Sequence, residues 1–135
     1  MEIDRAGLEV LDREECLRLL AQAQRGRIAI NVGALPAILP VRFVLDIDRV
    51  VLSASEGTTL ARATDGSVVA FQTDGTELGS EREWSVSLIG IARHLTEVGE
   101  VARAAVLPLQ RWSSDLPPRY IAISTERVSG RRTLG

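Results

Sequence analysis

The residues best placed to do chemistry in this chain lie in two neighbouring segments. The first is the strand-like run Leu35-Pro36-Ala37-Ile38-Leu39-Pro40-Val41-Arg42-Phe43-Val44-Leu45, which carries proline and arginine where a buried strand should have neither. Proline removes a ladder donor and is confined to edges or bulges, and an arginine among apolar neighbours needs an anionic or hydrogen-bonding partner to offset its desolvation. The second segment begins fourteen residues after Arg42: Glu56-Gly57-Thr58-Thr59-Leu60, leading into the helix-like Ala61-Arg62-Ala63. Glycine and hydroxyls ahead of a helix start suit a phosphate cradle. Together the two segments point to a phosphorylated cofactor lying along a strand.

The rest of the inventory leaves little other chemistry. His94 is the only histidine and Cys16 the only cysteine, so one chain cannot assemble a zinc site from several such ligands. A serine hydrolase would need His94 as its base, yet there is no G-x-S-x-G turn, and His94 stands at a strand end where an exposed or capping role is expected. Cys16 lies on an apolar helix stripe and reads as a small core residue. Asp74, Glu77, Glu81 and Glu83 share one polar loop, and a solvated loop accounts for them better than a metal site does. Any enzyme built here needs a bound cofactor as its reactive centre.

Composition narrows the partners. The sixteen basic residues are all arginine, against eighteen acidic ones, and neither sign is gathered into a block. A nucleic-acid surface is not expected, although a local arginine cluster can hold one phosphate. The absence of lysine removes Schiff-base chemistry and the P-loop lysine. A single cysteine and a start without a basic, apolar leader predict a cytoplasmic protein. No apolar stretch nears the roughly 20 residues that span a bilayer, so no membrane partner is expected.

These candidate residues need elements to position them. Asp12 with Glu15 has the form of an N-cap and its acidic N3 residue, and Cys16, Leu19, Leu20 and Ala23 follow at helical spacing, predicting an amphipathic helix that stops at Gly26. Residues 27–32 and 35–46, joined by Gly33-Ala34, argue for an antiparallel hairpin. A strand at 49–53, a two-turn helix over 58–63, a turn at Asp65-Gly66 and a strand at 68–73 come next. Residues 74–83 read as a surface loop. Trp84, Val86, Leu88, Gly90 and Ala92 then alternate with Ser85, Ser87, Ile89, Ile91 and Arg93, a strand in which Gly90 marks a bulge or a close backbone approach. Helical composition over 97–107 ends at Pro108, followed by a loop at 113–118, a strand at 120–124 and an arginine-rich end at 127–132. The pattern favours a mainly β fold, a small antiparallel barrel with flanking helices.

In that order of elements, the acidic helix Leu11-Asp12-Arg13-Glu14-Glu15-Cys16, the strand Gly26-Arg27-Ile28-Ala29, the run Leu39-Pro40-Val41-Arg42-Phe43-Val44-Leu45-Asp46, Trp84-Ser85-Val86 with Gly90 and Ala92-Arg93, and the closing Val128-Ser129-Gly130-Arg131-Arg132 resemble the pyridoxamine 5′-phosphate oxidase-like flavin-binding split-barrel proteins. The resemblance covers nearly the whole chain. It implies a six-stranded antiparallel split β-barrel, a single domain over residues 1–135, forming a homodimer with two FMN molecules in grooves at the subunit interface. It further implies that Leu39, Pro40, Val41 and Arg42 line the isoalloxazine and ribityl chain, and that Ser53 and Ala54 add contacts from the next strand. Thr58 and Thr59 would form the phosphate turn, and Trp84 with Ser85 would reach the flavin across the barrel.

Family members commonly carry lysine or arginine where this chain has Thr58 and Thr59. Arg62, Arg42 and the helix N-terminus can supply that charge instead. The competing reading is that Thr58 only caps the helix and Arg62 is solvated; likewise Trp84 can serve interface packing alone, and Arg131 and Arg132 can simply end the chain. The activity implied is that of a flavin-dependent oxidoreductase transferring hydride to or from a small molecule. Two alternatives stand beside it: use of the deazaflavin coenzyme in the same groove, and a non-catalytic or regulatory module holding a flavin, haem or other ligand. A specific vitamin B6 oxidase is disfavoured, because no basic substrate-phosphate cluster accompanies the cofactor site.

Overall fold

The computed structural model describes residues 1–109 and 116–135. Among these residues the chain forms β1 (Glu2–Ile3), β2 (Glu9–Leu11), α1 (Arg13–Gln22), β3 (Arg25–Val32), β4 (Leu35–Asp46), β5 (Arg49–Ser55), α2 (Thr59–Thr64), β6 (Val68–Thr76), β7 (Glu83–His94), α3 (Val98–Ala105), β8 (Pro118–Ser124) and β9 (Val128–Arg132). Six strands close on themselves in the order β7-β6-β3-β4-β5-β8 and back to β7, every pairing antiparallel. This is the split barrel that the sequence predicts. β9, β2 and β1 extend the sheet outward from β7.

Period-2 alternation decides what lies inside. Ile28 and Ile30 of β3, Val41 and Phe43 of β4, Val69 and Phe71 of β6, and Val86 and Leu88 of β7 are buried, with Phe43 and Phe71 edge to face at 4.7 Å between ring centres. Asp12 caps α1 by accepting from the Glu15 amide at 2.8 Å, which turns Cys16, Leu19 and Leu20 onto the barrel. A second, smaller cluster joins Val51 and Ala122 to Leu95 and to Ala104 of α3. Arg103 of α3 donates to the buried Asp46 carboxylate at 2.6 and 3.0 Å. That contact holds the Asp46 carboxyl below its usual range.

Two expectations change, one segment left unassigned is a strand, and one expected loop lies partly outside the described residues. Gly26 does not stop α1, which ends at Gln22; it lies in β3, where an added Cβ would come within 2.5 Å of the Phe71 ring and 2.8 Å of the Gln72 carbonyl oxygen. The glycine is demanded by packing, not by a helix end. The loop predicted over 74–83 shortens to residues 77–82, because β6 continues to Thr76 and pairs with β7 from Glu83. Gly75 makes this possible, since the Trp84 indole lies 2.7 Å from where its Cβ would be. The arginine-rich end is a strand, β9, paired with both β7 and β2. The predicted loop at 113–118 falls outside the described residues up to 115, and its remainder leads into β8, which starts at Pro118. Gly90 does mark a close approach: β7 pairs with β9 through Leu88 and with β8 from Ala92, and a Cβ at Gly90 would meet the Ser124 carbonyl oxygen at 3.1 Å.

Candidate functional site

The outer face of β4, β3, β6 and β7 is graded, and the register shows how. One rung reads Ile38, Ala29, Ala70, Ile89 across the four strands. Beside it Val68 faces Ile91. Ile38, Val68, Ile89 and Ile91 are more than half exposed, a band of apolar surface that the barrel interior does not cover. The next polar rung reads Pro40, Arg27, Gln72, Ser87, Ser129. One rung further, Arg42 faces Arg25, and Asp74, Ser85 and Arg131 follow across β6, β7 and β9. An apolar band thus gives way to a polar, arginine-bearing one within two residues of Ile38.

The residues expected along β4 sit on that boundary. β4 pairs with β3 over its whole length up to Arg42, but with β5 only from Phe43 onward. Among the described residues the second edge of residues 35–42 therefore has no ladder partner and presents backbone donors and acceptors. Pro40 and Arg42 face outward, Leu39 packs against the core, and Val41 is buried, so Val41 can offer a ligand only its backbone. The same holds for Ala54 of β5, which is buried, whereas Ser53 is part-exposed opposite Tyr120.

The expected phosphate turn is closed by its own hydrogen bonds. Thr58 Oγ1 donates to the Ser55 carbonyl at 2.7 Å and accepts from the Ala61 amide at 3.3 Å, capping α2. Gly57 takes a positive φ of 84°, and Arg62 folds back to donate to the Gly57 carbonyl at 2.7 Å. Arg62 thereby brings a cation onto the turn, and Thr59 stands exposed at the first helical position. Glu56 is paired with Arg119 at 3.0 Å.

Trp84 and Ser85 lie elsewhere. Two strands, β3 and β6, separate them from β4 in the sheet, about 14 Å at the usual inter-strand spacing. Trp84 is buried and borders an open cavity of about 400 Å³ with Ser85, Gly75, Leu8, Arg131 and Thr133. Within one chain the β4 residues and Trp84 do not converge.

Arg131 and Arg132 do more than end the chain, which sequence reading missed. Arg132 is buried, donates to both Glu9 oxygens at 3.1 Å and to Glu15 at 3.2 Å, and lies 3.3 Å from Glu77. Donation from Arg132 lowers the Glu9 carboxyl; Glu15 is lowered first by Arg18 and then by Arg132. Arg131 donates to Asp4 at 2.8 Å. Their spacing as neighbours on a strand, one facing each way, was the available signal.

The remaining candidates are structural in place. His94 Nε2 is 3.1 Å from Thr64 Oγ1, whose hydroxyl reaches the Leu60 carbonyl at 2.8 Å, and its amide donates to Asp65 at 3.0 Å. His94 thus ties β7 to the end of α2. Cys16 is fully buried against Gly130, and burial pushes its thiol up. Among the described residues no group of three or more His, Cys, Asp or Glu is placed to hold a metal ion, and no helix is long and apolar enough to cross a membrane.

Comparison with known proteins bears on this geometry. Residues 12–132 match the family model described as pyridoxamine 5′-phosphate oxidase. An uncharacterized protein of Mycobacterium tuberculosis is 35% identical, the match covering 90% of this chain and 83% of the relative. The FAD-binding protein of Mycobacterium smegmatis superposes with a TM-score of 0.82 at 29% identity, over 93% of this chain and 98% of its own. A FAD-binding protein of Mesorhizobium loti gives 0.75 at 22% identity, over 93% and 96%, a likeness of fold.

Proposed function

Because the chain belongs to the pyridoxamine 5′-phosphate oxidase family, we propose that it binds a flavin nucleotide along residues 39–42 of β4 and acts as an oxidoreductase on a small molecule. The observation that carries this reading is the unpaired edge of β4 at the border of the apolar and polar bands. A flat ring system with an apolar face and a hydrogen-bonding rim fits such a border: Pro40 and Ile38 offer apolar surface, while backbone groups of 39–42 and the Arg42 guanidinium offer partners for the rim. The flavin supplies hydride acceptance and donation when bound; the protein's part is to orient it and to exclude water. Arg62 and Thr59 of the α2 turn are the groups proposed to meet the phosphate.

The same reading requires a homodimer. The band of Ile38, Val68, Ile89 and Ile91 is too apolar to leave in water, and a second copy laid on it would bring Trp84 and Ser85 of one chain toward β4 of the other. FMN, with its single phosphate, is the nucleotide proposed for the α2 turn. FAD is the second reading, supported by the Mycobacterium smegmatis FAD-binding protein at 29% identity.

Titrating purified protein with FMN, FAD, riboflavin and the deazaflavin coenzyme, with the visible spectrum as readout, tests the proposal. A flavin absorption band and saturable FMN or FAD binding are expected. Tight binding of the deazaflavin alone would replace the cofactor, and a colourless protein binding none of the four would leave only a non-flavin module.

A further inference from the structure

The outer face of β4, β3, β6 and β7 carries a pattern that restricts how a second copy can lie on it. Its central rung reads Ile38, Ala29, Ala70, Ile89 across the four strands, large-small-small-large, the same from either side about a point between β3 and β6. The two isoleucines are more than half exposed and the two alanines part-exposed. An isologous pair needs a surface that complements itself under a two-fold rotation. About an axis between β3 and β6 this rung does so: Ile38 meets the partner's Ile89, and the small residues between them let the two sheets approach.

Along the strands the face is graded, and the grading chooses the direction of the axis. Val68 and Ile91 stand on one side of the rung, Arg27, Gln72 and Ser87 on the other. Face-to-face sheets keep their strands roughly aligned whether the axis runs along the strands or across them. An axis across them would press Arg27 of each copy against the apolar end of the other, at a desolvation cost that nothing there offsets. An axis along them keeps apolar on apolar and polar on polar, with Arg27 beside the partner's Gln72. Arg27 also brings its own carboxylate, Asp74 at 3.5 Å, so charge balances around the axis. Edge-to-edge pairing through the open side of β4 is opposed by Pro36 and Pro40, which have no N–H to give a ladder.

We propose that two copies of this chain pair face to face about a two-fold axis that runs parallel to the strands between β3 and β6, so that β7 of each copy lies across β4 of the other. The dimer itself rests on the flavin reading; its axis goes beyond it and states what the partner contributes. Ser87, two residues from Ile89, comes onto the partner's Pro40, which is two residues from Ile38, and Ser85 follows toward the end of β4. Each groove along β4 is thereby closed by the partner's β7, which no single chain can do.

Thiol cross-linking of the full chain tests the axis. Ile38→Cys, Ile89→Cys and the double variant are treated with a short bifunctional thiol reagent, and the products are sized under denaturing, non-reducing conditions. Within one chain the two positions are three strand spacings apart, about 14 Å and beyond the reagent, and the native Cys16 is fully buried. The double variant should shift to the mass of a covalent dimer. Each single variant should stay at monomer mass, because equivalent positions of the two copies are as far apart sideways as Ile38 and Ile89 are in one. Single variants that link to themselves would put the axis across the strands and overturn the proposal. So would a double variant that sediments as a dimer without linking, or a wild-type chain that sediments as a monomer. Should the isoleucine variants dissociate, the pair Pro40→Cys with Ser87→Cys, one outward-facing rung from the apolar centre, is read in the same way. Flavin titration of the wild type keeps the two ideas apart: linking of the double variant alone, with no flavin bound by its parent, sinks the flavin reading and leaves the axis, whereas a flavin-binding dimer whose single variants self-link sinks the axis alone.

Discussion

Gly26 and Arg42 lie on adjacent rungs of the β3–β4 ladder and ask opposite things of their surroundings. Gly26 is filled over by the Phe71 ring, so Gly26→Ala forces a core aromatic or a strand to shift, and overpacking of that kind costs about 1–3 kcal/mol. Thermal melting should show a clear drop. Among the described residues Arg42 has no carboxylate to lose, so Arg42→Ala should leave the melt nearly unchanged while flavin affinity falls roughly ten- to a hundredfold, the worth of one charge-assisted hydrogen bond. A variant that melts far lower yet binds flavin like its parent would make Arg42 structural. The α2 turn permits a test of opposite sign. Thr59 is exposed at the helix start, and if a phosphate rests there, Thr59→Lys should tighten FMN by up to about 2 kcal/mol at low salt, less as salt rises, and leave riboflavin unaffected. Equal responses of the two ligands would remove the phosphate from the turn.

At the scale of elements, β9 adds ion pairs to its two backbone ladders and to the packing of Val128. Arg132 joins β9 to β2 through Glu9, to α1 through Glu15 and to the 77–82 loop through Glu77. Glu9 and Glu15 are lowered by arginine contacts and Asp46 by Arg103, so the folded chain binds fewer protons than the unfolded one in mild acid. Stability from these groups is complete above the unfolded carboxyl values, near 4, and is lost as pH falls through the lowered folded ones. Melting temperature should be flat near neutrality and drop below about pH 4. Arg132→Leu reverses the sign locally: Glu9, Glu15 and Glu77 lose their shared cation and keep only Arg18 on Glu15 and Arg82 beside Glu77 and Glu9, the loss at pH 7 is on the order of 3 kcal/mol, and part of it should return as acid neutralises them. A melting temperature that falls with pH as steeply as the parent's would show that the arginine does not organise these carboxylates. The same strand shows what a sequence can tell. The barrel strands announce themselves by alternation, and α1 by Asp12 and Glu15, because local chemistry fixes both. β9, with Gly130 and paired arginines, shows no alternation and reads only as an arginine-rich end, and β1 and β2 are too short to show a period; β2 finds its partner β9 more than a hundred residues away, and β1 pairs with β2 alone. The open edge of β4 was legible through its prolines, whereas the distance of Trp84 from β4 was not, because strand order in a closed sheet is a property of the whole barrel.

At the scale of the molecule, the unsolved surface is the apolar band, and it dictates the most consequential prediction. Ile38 is 71% exposed, Val68 61%, Ile91 57% and Ile89 51%, all on one face of contiguous strands. Single exposed apolar residues are ordinary, but a contiguous patch on a sheet face is the mark of an interface. If a second copy covers it, the chain sediments as a dimer at micromolar concentration, and Ile89→Arg places a charge in the buried centre of the interface while leaving the barrel interior untouched. That variant should sediment as a monomer with an unchanged far-ultraviolet spectrum, because Ile89 points away from the core that Leu88 fills. Flavin binding should vanish with the dimer, since two strands separate Trp84 and Ser85 from β4 in their own chain and they can meet its ligand only from the partner. Val32→Arg, at an exposed position in β3 near the Gly33-Ala34 turn and off the Ile38–Ile89 rung, serves as the control and should change neither property. A wild-type chain that sediments as a monomer yet binds flavin tightly would separate the ligand site from the interface and return the apolar band to the status of unexplained surface.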